Sequence, residues 1–117
     1  MAEDILDVPE FLDRVQNDKE LLFELLDIYV ADFREKRKLL TEAVRTKDFE
    51  QVKSIAHSLK GASGNISVKP LRALFMTLEE KGKINDLNGI DTILLEADKK
   101  FDELVNRIPR LKQEMPT

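Results

Sequence analysis

The sequence predicts an all-α protein: an antiparallel up-down-up-down four-helix bundle with a short extra N-terminal helix. Three observations carry that class. Apolar residues recur at i, i+3, i+4 and i+7, whereas the alternation of a half-buried strand never persists. Acidic or amide residues stand just before the apolar stripes, in places with Glu or Gln three positions on, which is how helix N-termini are capped. The polar segments between stripes are short, and short connections favour antiparallel neighbours.

The first helix is expected from Val8 to Val15, with Asp7 as cap, Pro9 in the first turn and Glu10 three residues after the cap. Asn17 reads as the next cap, paired with Glu20. The second helix then covers Asp18 to Arg45, with Leu22, Leu25, Leu26, Tyr29, Phe33, Leu40, Ala43 and Val44 as its stripe. At ~1.5 Å per residue it is about 40 Å long, a length typical of bundles. Asp48 and Gln51 open a third helix from Phe49 to Ile66. Ser67 interrupts it and can serve as a cap. Pro70 lies in the first turn of a fourth helix, which carries Leu71, Leu74, Phe75 and Leu78 and stops near Gly82 as C-cap. A polar loop, Lys83 to Asn88, leads to a fifth helix from Gly89 to Ile108, with Ile90, Ile93, Leu94, Ala97, Phe101, Leu104 and Val105 inward. Pro109 is expected to break or kink it, leaving a frayed tail.

The length of 117 residues suits one domain, 1–117, with a bundle core at about 18–108. The absence of cysteine excludes a disulfide framework, a thiolate metal site and a cysteine nucleophile. A single histidine excludes sites built from several imidazoles. The net charge of −4 argues against a nucleic-acid binder, which would carry a basic stripe. No apolar run approaches the ~18 residues of a membrane span, and Met-Ala-Glu-Asp lacks the basic start of a signal peptide. The expectation is a monomeric cytoplasmic protein with no membrane segment and no metal site of its own.

One element breaks a propensity rule. Gly61 and Gly64 fall inside the third helix, each at a cost of about 1 kcal/mol relative to alanine, and such conflicts often mark function or close packing. On a helical wheel Val52, Ile55, Ala56, Leu59, Ala62, Ser63 and Ile66 gather on one side. Lys53, His57, Lys60, Gly61 and Gly64 gather on another. The only histidine therefore faces solvent, between two lysines and beside two residues without side chains. A neutral imidazole is a nucleophile for phosphorus. Lys60, one turn on, would place an ammonium beside a phosphoryl group on His57. Lys53, one turn back, would add a second charge, and the glycines would clear space for a partner. Without further signal, an exposed histidine among lysines is also an ordinary surface feature.

The segment Ala56-His57-Ser58-Leu59-Lys60-Gly61-Ala62-Ser63-Gly64-Asn65-Ile66 resembles the signature of histidine-containing phosphotransfer (HPt) domains. Glu20-Leu21-Leu22 before a long helix, Asp48 nine residues ahead of the histidine, and Leu78-Glu79 on the next helix extend the likeness over about 100 residues. One departure is Ser67, where the family commonly has glycine. The resemblance implies His57 as phospho-acceptor through Nε2, Lys60 as stabiliser of the phosphoryl group, and Gly61 as the clearance for a docking receiver domain. It also implies that Glu79 holds the imidazole in the tautomer that leaves Nε2 free; otherwise Glu79 is a solvated carboxylate. Phe11, Leu12 or Ile28 would add apolar docking contacts, unless they belong to the core.

The implied function is a phosphorelay intermediate. His57 would accept a phosphoryl group from one receiver aspartate and pass it to another, with response-regulator receivers and a hybrid histidine kinase as partners. No nucleotide motif or acidic cluster is present, so the chain would be a carrier rather than an enzyme, needing no cofactor. Magnesium would sit on the receiver. An alternative is a kinase-substrate module phosphorylated by an ATP-bound histidine kinase domain. The methionine start and short polar tail favour a stand-alone protein. A third reading, a non-catalytic receiver-binding bundle, would be expected to lose the histidine.

Overall fold

A computed structural model describes residues 4–116, and among them the chain forms five helices and no strand. These are α1 (Val8–Arg14), α2 (Lys19–Arg45), α3 (Phe49–Asn65), α4 (Lys69–Lys83) and α5 (Ile90–Glu114). The sequence predicts this all-α class and the order of the elements. The stripes read from it supply much of the core: Leu22, Leu26, Tyr29, Phe33 and Leu40 of α2, Val52, Ile55, Ala56 and Leu59 of α3, and Leu71, Phe75 and Leu78 of α4 are buried. Phe33 stacks on Phe101 of α5 with centroids 3.9 Å apart and meets Phe75 of α4 at 5.9 Å, so one ring joins three helices. The α2–α3 seam holds a buried polar chain. Ser63 Oγ donates to the Leu59 carbonyl at 2.7 Å, which leaves the Tyr29 hydroxyl to donate to Ser63 Oγ, also at 2.7 Å. Burial pushes the Tyr29 hydroxyl well above its ordinary pKa.

The helix ends differ from the sequence reading in a consistent way. The cap of α2 is Asp18, whose carboxylate accepts from Leu21 N, and not Asn17. Asn17 is held in a left-handed conformation, φ 62°. Gln16, Lys47, Ser67 and Asn85 have φ of 55°, 55°, 61° and 55°, each as the first residue past the helix cap. Behind each, two backbone bonds close the last turn. After α2, Lys47 N donates to Val44 O and Asp48 N to Ala43 O. After α3, Ser67 N donates to Gly64 O and Val68 N to Ser63 O. This is the Schellman motif, which satisfies carbonyls that would otherwise lack a partner. Glycine is the usual residue at its left-handed position, so non-glycine residues there hide the stop signal. The same geometry corrects Gly82. It does not end α4, which runs on to Lys83 and stops at Asn85; Gly82 lies inside the helix and is buried.

Ser67 is not a helix cap either, since Val68 holds that place without a side-chain bond. Ser67 is instead a buried anchor. Its Oγ donates to Glu10 at 2.8 Å and its carbonyl accepts from Asp7 N at 3.0 Å, while Lys69 pairs with both Asp7 and Glu10. These bonds hold α1 against the α3–α4 turn. Hydrogen bonding from Lys69 and Ser67 keeps the Asp7 and Glu10 carboxyls below their usual range.

The fifth helix also departs from expectation. It passes through Pro109 to Glu114. Pro109 faces solvent, where water can take up the carbonyl its missing N–H leaves free, and Leu111 beyond it is buried. Arg107, nearly buried, pairs with Glu114 one side and Asp4 on the other. The apolar core thus reaches past 18–108 to Ile5, Leu6, Phe11 and Leu111.

Two substitutions at Ser67 separate its hydrogen bond from its backbone strain. Ser67→Ala loses the bond to Glu10 and keeps the left-handed strain, and should cost about 1–2 kcal/mol. Ser67→Gly loses the same bond but relieves the strain, and should be more stable than the alanine variant by about 1 kcal/mol. Urea titration measures both; an alanine variant as stable as the glycine one would contradict the strain argument.

Candidate functional site

The site is built on α3 and completed by α4. Asp48 starts α3 by accepting from Gln51 N at 3.2 Å, and the stripe Val52, Ile55, Ala56 and Leu59 turns one face of the helix to the core. That rotation leaves His57 outward, with 68% of its side chain exposed. Lys60 follows on the next turn and is half-buried.

Glu79 of α4 joins them. One carboxylate oxygen lies 2.6 Å from His57 Nδ1, and the other accepts from Lys60 Nζ at 2.6 Å. Its side chain is only 9% exposed, so it is not a solvated surface carboxylate. The hydrogen bond from Lys60, with a smaller contribution from His57, holds the Glu79 carboxyl below the usual range against the opposing effect of burial. An ionised carboxylate only accepts, so Nδ1 must carry the proton and donate. In the neutral ring Nε2 then keeps its lone pair, and among the described residues Nε2 has no hydrogen-bond partner. The arrangement presents a nucleophilic nitrogen to solvent, with a buried negative charge behind the ring.

The remaining residues singled out from the sequence divide. A Cβ built at Gly61 would meet nothing within 4 Å, so the surface beside His57 is open. At Gly64 a Cβ would lie 3.2 Å from the Arg72 side chain, so that position is partly covered. Lys53 is not drawn into the cluster: its ammonium lies 3.5 Å from Glu50. Of the apolar docking candidates, Ile28 is 64% exposed, Leu12 is half-buried, and Phe11 is fully buried and belongs to the core. Among the described residues, no three His, Asp or Glu side chains cluster as metal ligands do, and no helix is long and apolar enough to cross a membrane.

The family model described as the Hpt domain matches residues 24–114. The chain belongs to the Hpt domain family. Among curated proteins it is 26% identical over 101 residues to the phosphorelay intermediate protein rdeA of Dictyostelium discoideum. The match covers 86% of this chain and 40% of that protein, so the chain spans well under half of its relative's length. In fold it is similar to the crystal structure of histidine-containing phosphotransfer protein B (HptB) from Pseudomonas aeruginosa PAO1, at a TM-score of 0.87 and 22% identity. That likeness covers 97% of this chain and 99% of the other.

Sequence reasoning missed one close helix contact beside this Hpt domain's site. Gly82 lies where α4 packs tightly against α3: a Cβ there would sit 2.8 Å from the backbone nitrogen of Lys53. Its spacing of three from Glu79, which puts both on one helix face, was the available signal.

The electrostatics predict a pH dependence. The Glu79 carboxyl is lowered in the fold, so its pairing contributes stability above the ordinary glutamate value, and that contribution is lost as pH falls through the lowered one. Glu79→Gln should therefore lose less stability than the parent between about pH 5 and pH 2. Urea midpoints across that range measure it; parallel curves would contradict the ion pair.

Proposed function

We propose that this Hpt domain is a phosphorelay intermediate in which His57 carries the phosphoryl group. The observation that supports this most is the Glu79–Nδ1 contact, which fixes the proton on one ring nitrogen and leaves the other, Nε2, as an exposed nucleophile. In the reaction, the Nε2 lone pair attacks the phosphorus of a receiver's aspartyl phosphate. The N–P bond forms, the P–O bond to the aspartate breaks, and the carboxylate leaves with its electron pair. Positive charge develops on the ring as it attacks, and Glu79, already ionised and 2.6 Å away, offsets it. Transfer to a second receiver is the reverse step.

Lys60 enters from a different starting point than its spacing suggests. In the unphosphorylated chain its ammonium rests on Glu79. In the phosphorylated state it exchanges part of that contact for a phosphoryl oxygen, two carboxylate-like acceptors competing for one cation. Gly61 leaves the receiver room to approach, and Ile28 supplies exposed apolar contact. Lys53 has a lesser place, as a charge one turn away.

The wider reading follows. α2 to α5 form an antiparallel up-down-up-down bundle with α1 as a short extra helix, one domain over 1–117. The domain acts as a monomer in the cytoplasm, carries the group without a nucleotide site or kinase activity, and requires no cofactor of its own. Its partners are response-regulator receivers, which bring magnesium, and a hybrid histidine kinase.

Incubation with a phosphorylated receiver domain tests the proposal. The parent should acquire an acid-labile, base-stable phosphate, and His57→Gln should acquire none while still folding, at a cost of about 1–2 kcal/mol for the Glu79 pairing it loses. Label on the glutamine variant would refute the assignment. Lys60→Ala should fold normally and transfer about 10- to 100-fold more slowly; an unchanged rate would remove Lys60 from the mechanism. Labelling by an ATP-bound kinase domain but by no receiver would favour the kinase-substrate module.

A further inference from the structure

A close approach of α4 to the backbone of α3 lies one turn away from His57. A Cβ at Gly82 would stand 2.8 Å from Lys53 N, 3.0 Å from its Cα and 3.0 Å from its Cβ. These atoms are the wall of α3 itself and cannot rotate aside. Such contacts settle at about 3.5 Å or more, so any side chain at position 82 forces the two helices apart by roughly 0.5 Å or more.

That contact shares a seam with the site. Gly82 follows Glu79 by three residues on α4, and Lys53 precedes His57 by four on α3, so each pair occupies one helix face. At ~1.5 Å rise per residue the two contacts are about 4.5–6 Å apart along the helices. A separation opened at Gly82 reaches Glu79 with little attenuation, because helices move as stiff rods over one turn. Glu79 must hold two atoms of α3 at once, each at 2.6 Å, and its carboxylate cannot follow both when α3 recedes. The neighbouring glycines of α3 do not share this role: the space at Gly61 is open, and Gly64 faces the flexible end of Arg72.

We propose that Gly82 is a positioning residue for phosphoryl transfer, whose missing side chain lets α4 lie close enough for Glu79 to hold the His57 ring and Lys60 together. The inference rests on the reading of His57 as the phosphoryl acceptor, but its direct signature is the ring tautomer of the unphosphorylated protein.

The test is nitrogen NMR of the 15N-histidine-labelled full chain without phosphate, with transfer from a phosphorylated receiver measured in parallel. Gly82→Ala should shift the ring away from the Nδ1–H form and slow transfer about tenfold, the low end of what loss of an orienting partner costs a histidine. In a Glu79→Ala background the same change should add nothing to either readout. An unaltered tautomer in Gly82→Ala, or equal slowing in both backgrounds, would overturn the proposal. Should Gly82→Ala fail to fold, Glu79→Asp shortens the reach by one carbon without touching the helix contact. It should produce the same tautomer shift, and a normal tautomer there would also overturn the proposal. A parent that takes no phosphate while Gly82→Ala still shifts the tautomer would defeat the acceptor reading and uphold the positioning.

Discussion

Glu79 accepts from two donors on a neighbouring helix, and most of what distinguishes this bundle follows from that contact. The carboxylate is desolvated, which is costly unless each oxygen is paired. His57 and Lys60 supply those pairs, one per oxygen. Ionisation of Glu79 in turn settles which ring nitrogen carries the proton. A surface histidine thereby acquires a defined tautomer without becoming buried, and most of its side chain stays exposed.

The rest of the fold keeps α3 and α4 in register for that contact. The three-helix cluster of Phe33, Phe75 and Phe101 fixes α4 against α2 and α5, and the Tyr29–Ser63 bond fixes α3 against α2. The connection between α3 and α4 is compressed into a few residues. Val68 both closes the Schellman turn of α3 and begins α4, with Ser67 between them in a left-handed conformation. So tight a turn leaves little freedom in the angle between the helices. The N-terminal segment reinforces it through Asp7, Glu10 and Lys69, at the end of α3 away from Asp48.

Much of this was legible in the sequence because two signals are strong. Periodicity placed the buried faces of α2, α3 and α4, and cap pairs such as Asp48 with Gln51 placed helix starts. The outward position of His57 and the nearness of Lys60 follow from helix geometry alone. Helix ends were less legible. The left-handed positions are taken by Gln16, Lys47, Ser67 and Asn85, so the glycine rule found no stop there and assigned one to Gly82 instead. Pro109 misled for a related reason: proline opposes a helix interior, but on an exposed face the lost bond can be replaced by water. The burial of Glu79 and the role of Gly82 depend on the distance between two helices, a quantity that no single-helix pattern encodes.

The central claim is that Glu79 directs chemistry to one ring nitrogen. The most direct measurement is the attachment point of the phosphoryl group, read from long-range proton–nitrogen and proton–phosphorus couplings in the phosphorylated, 15N-histidine-labelled protein. The account predicts phosphorus on His57 Nε2, with Nδ1 still protonated against Glu79. Phosphorus on Nδ1 would contradict it, because that nitrogen cannot hold the phosphoryl group and donate to the carboxylate at once.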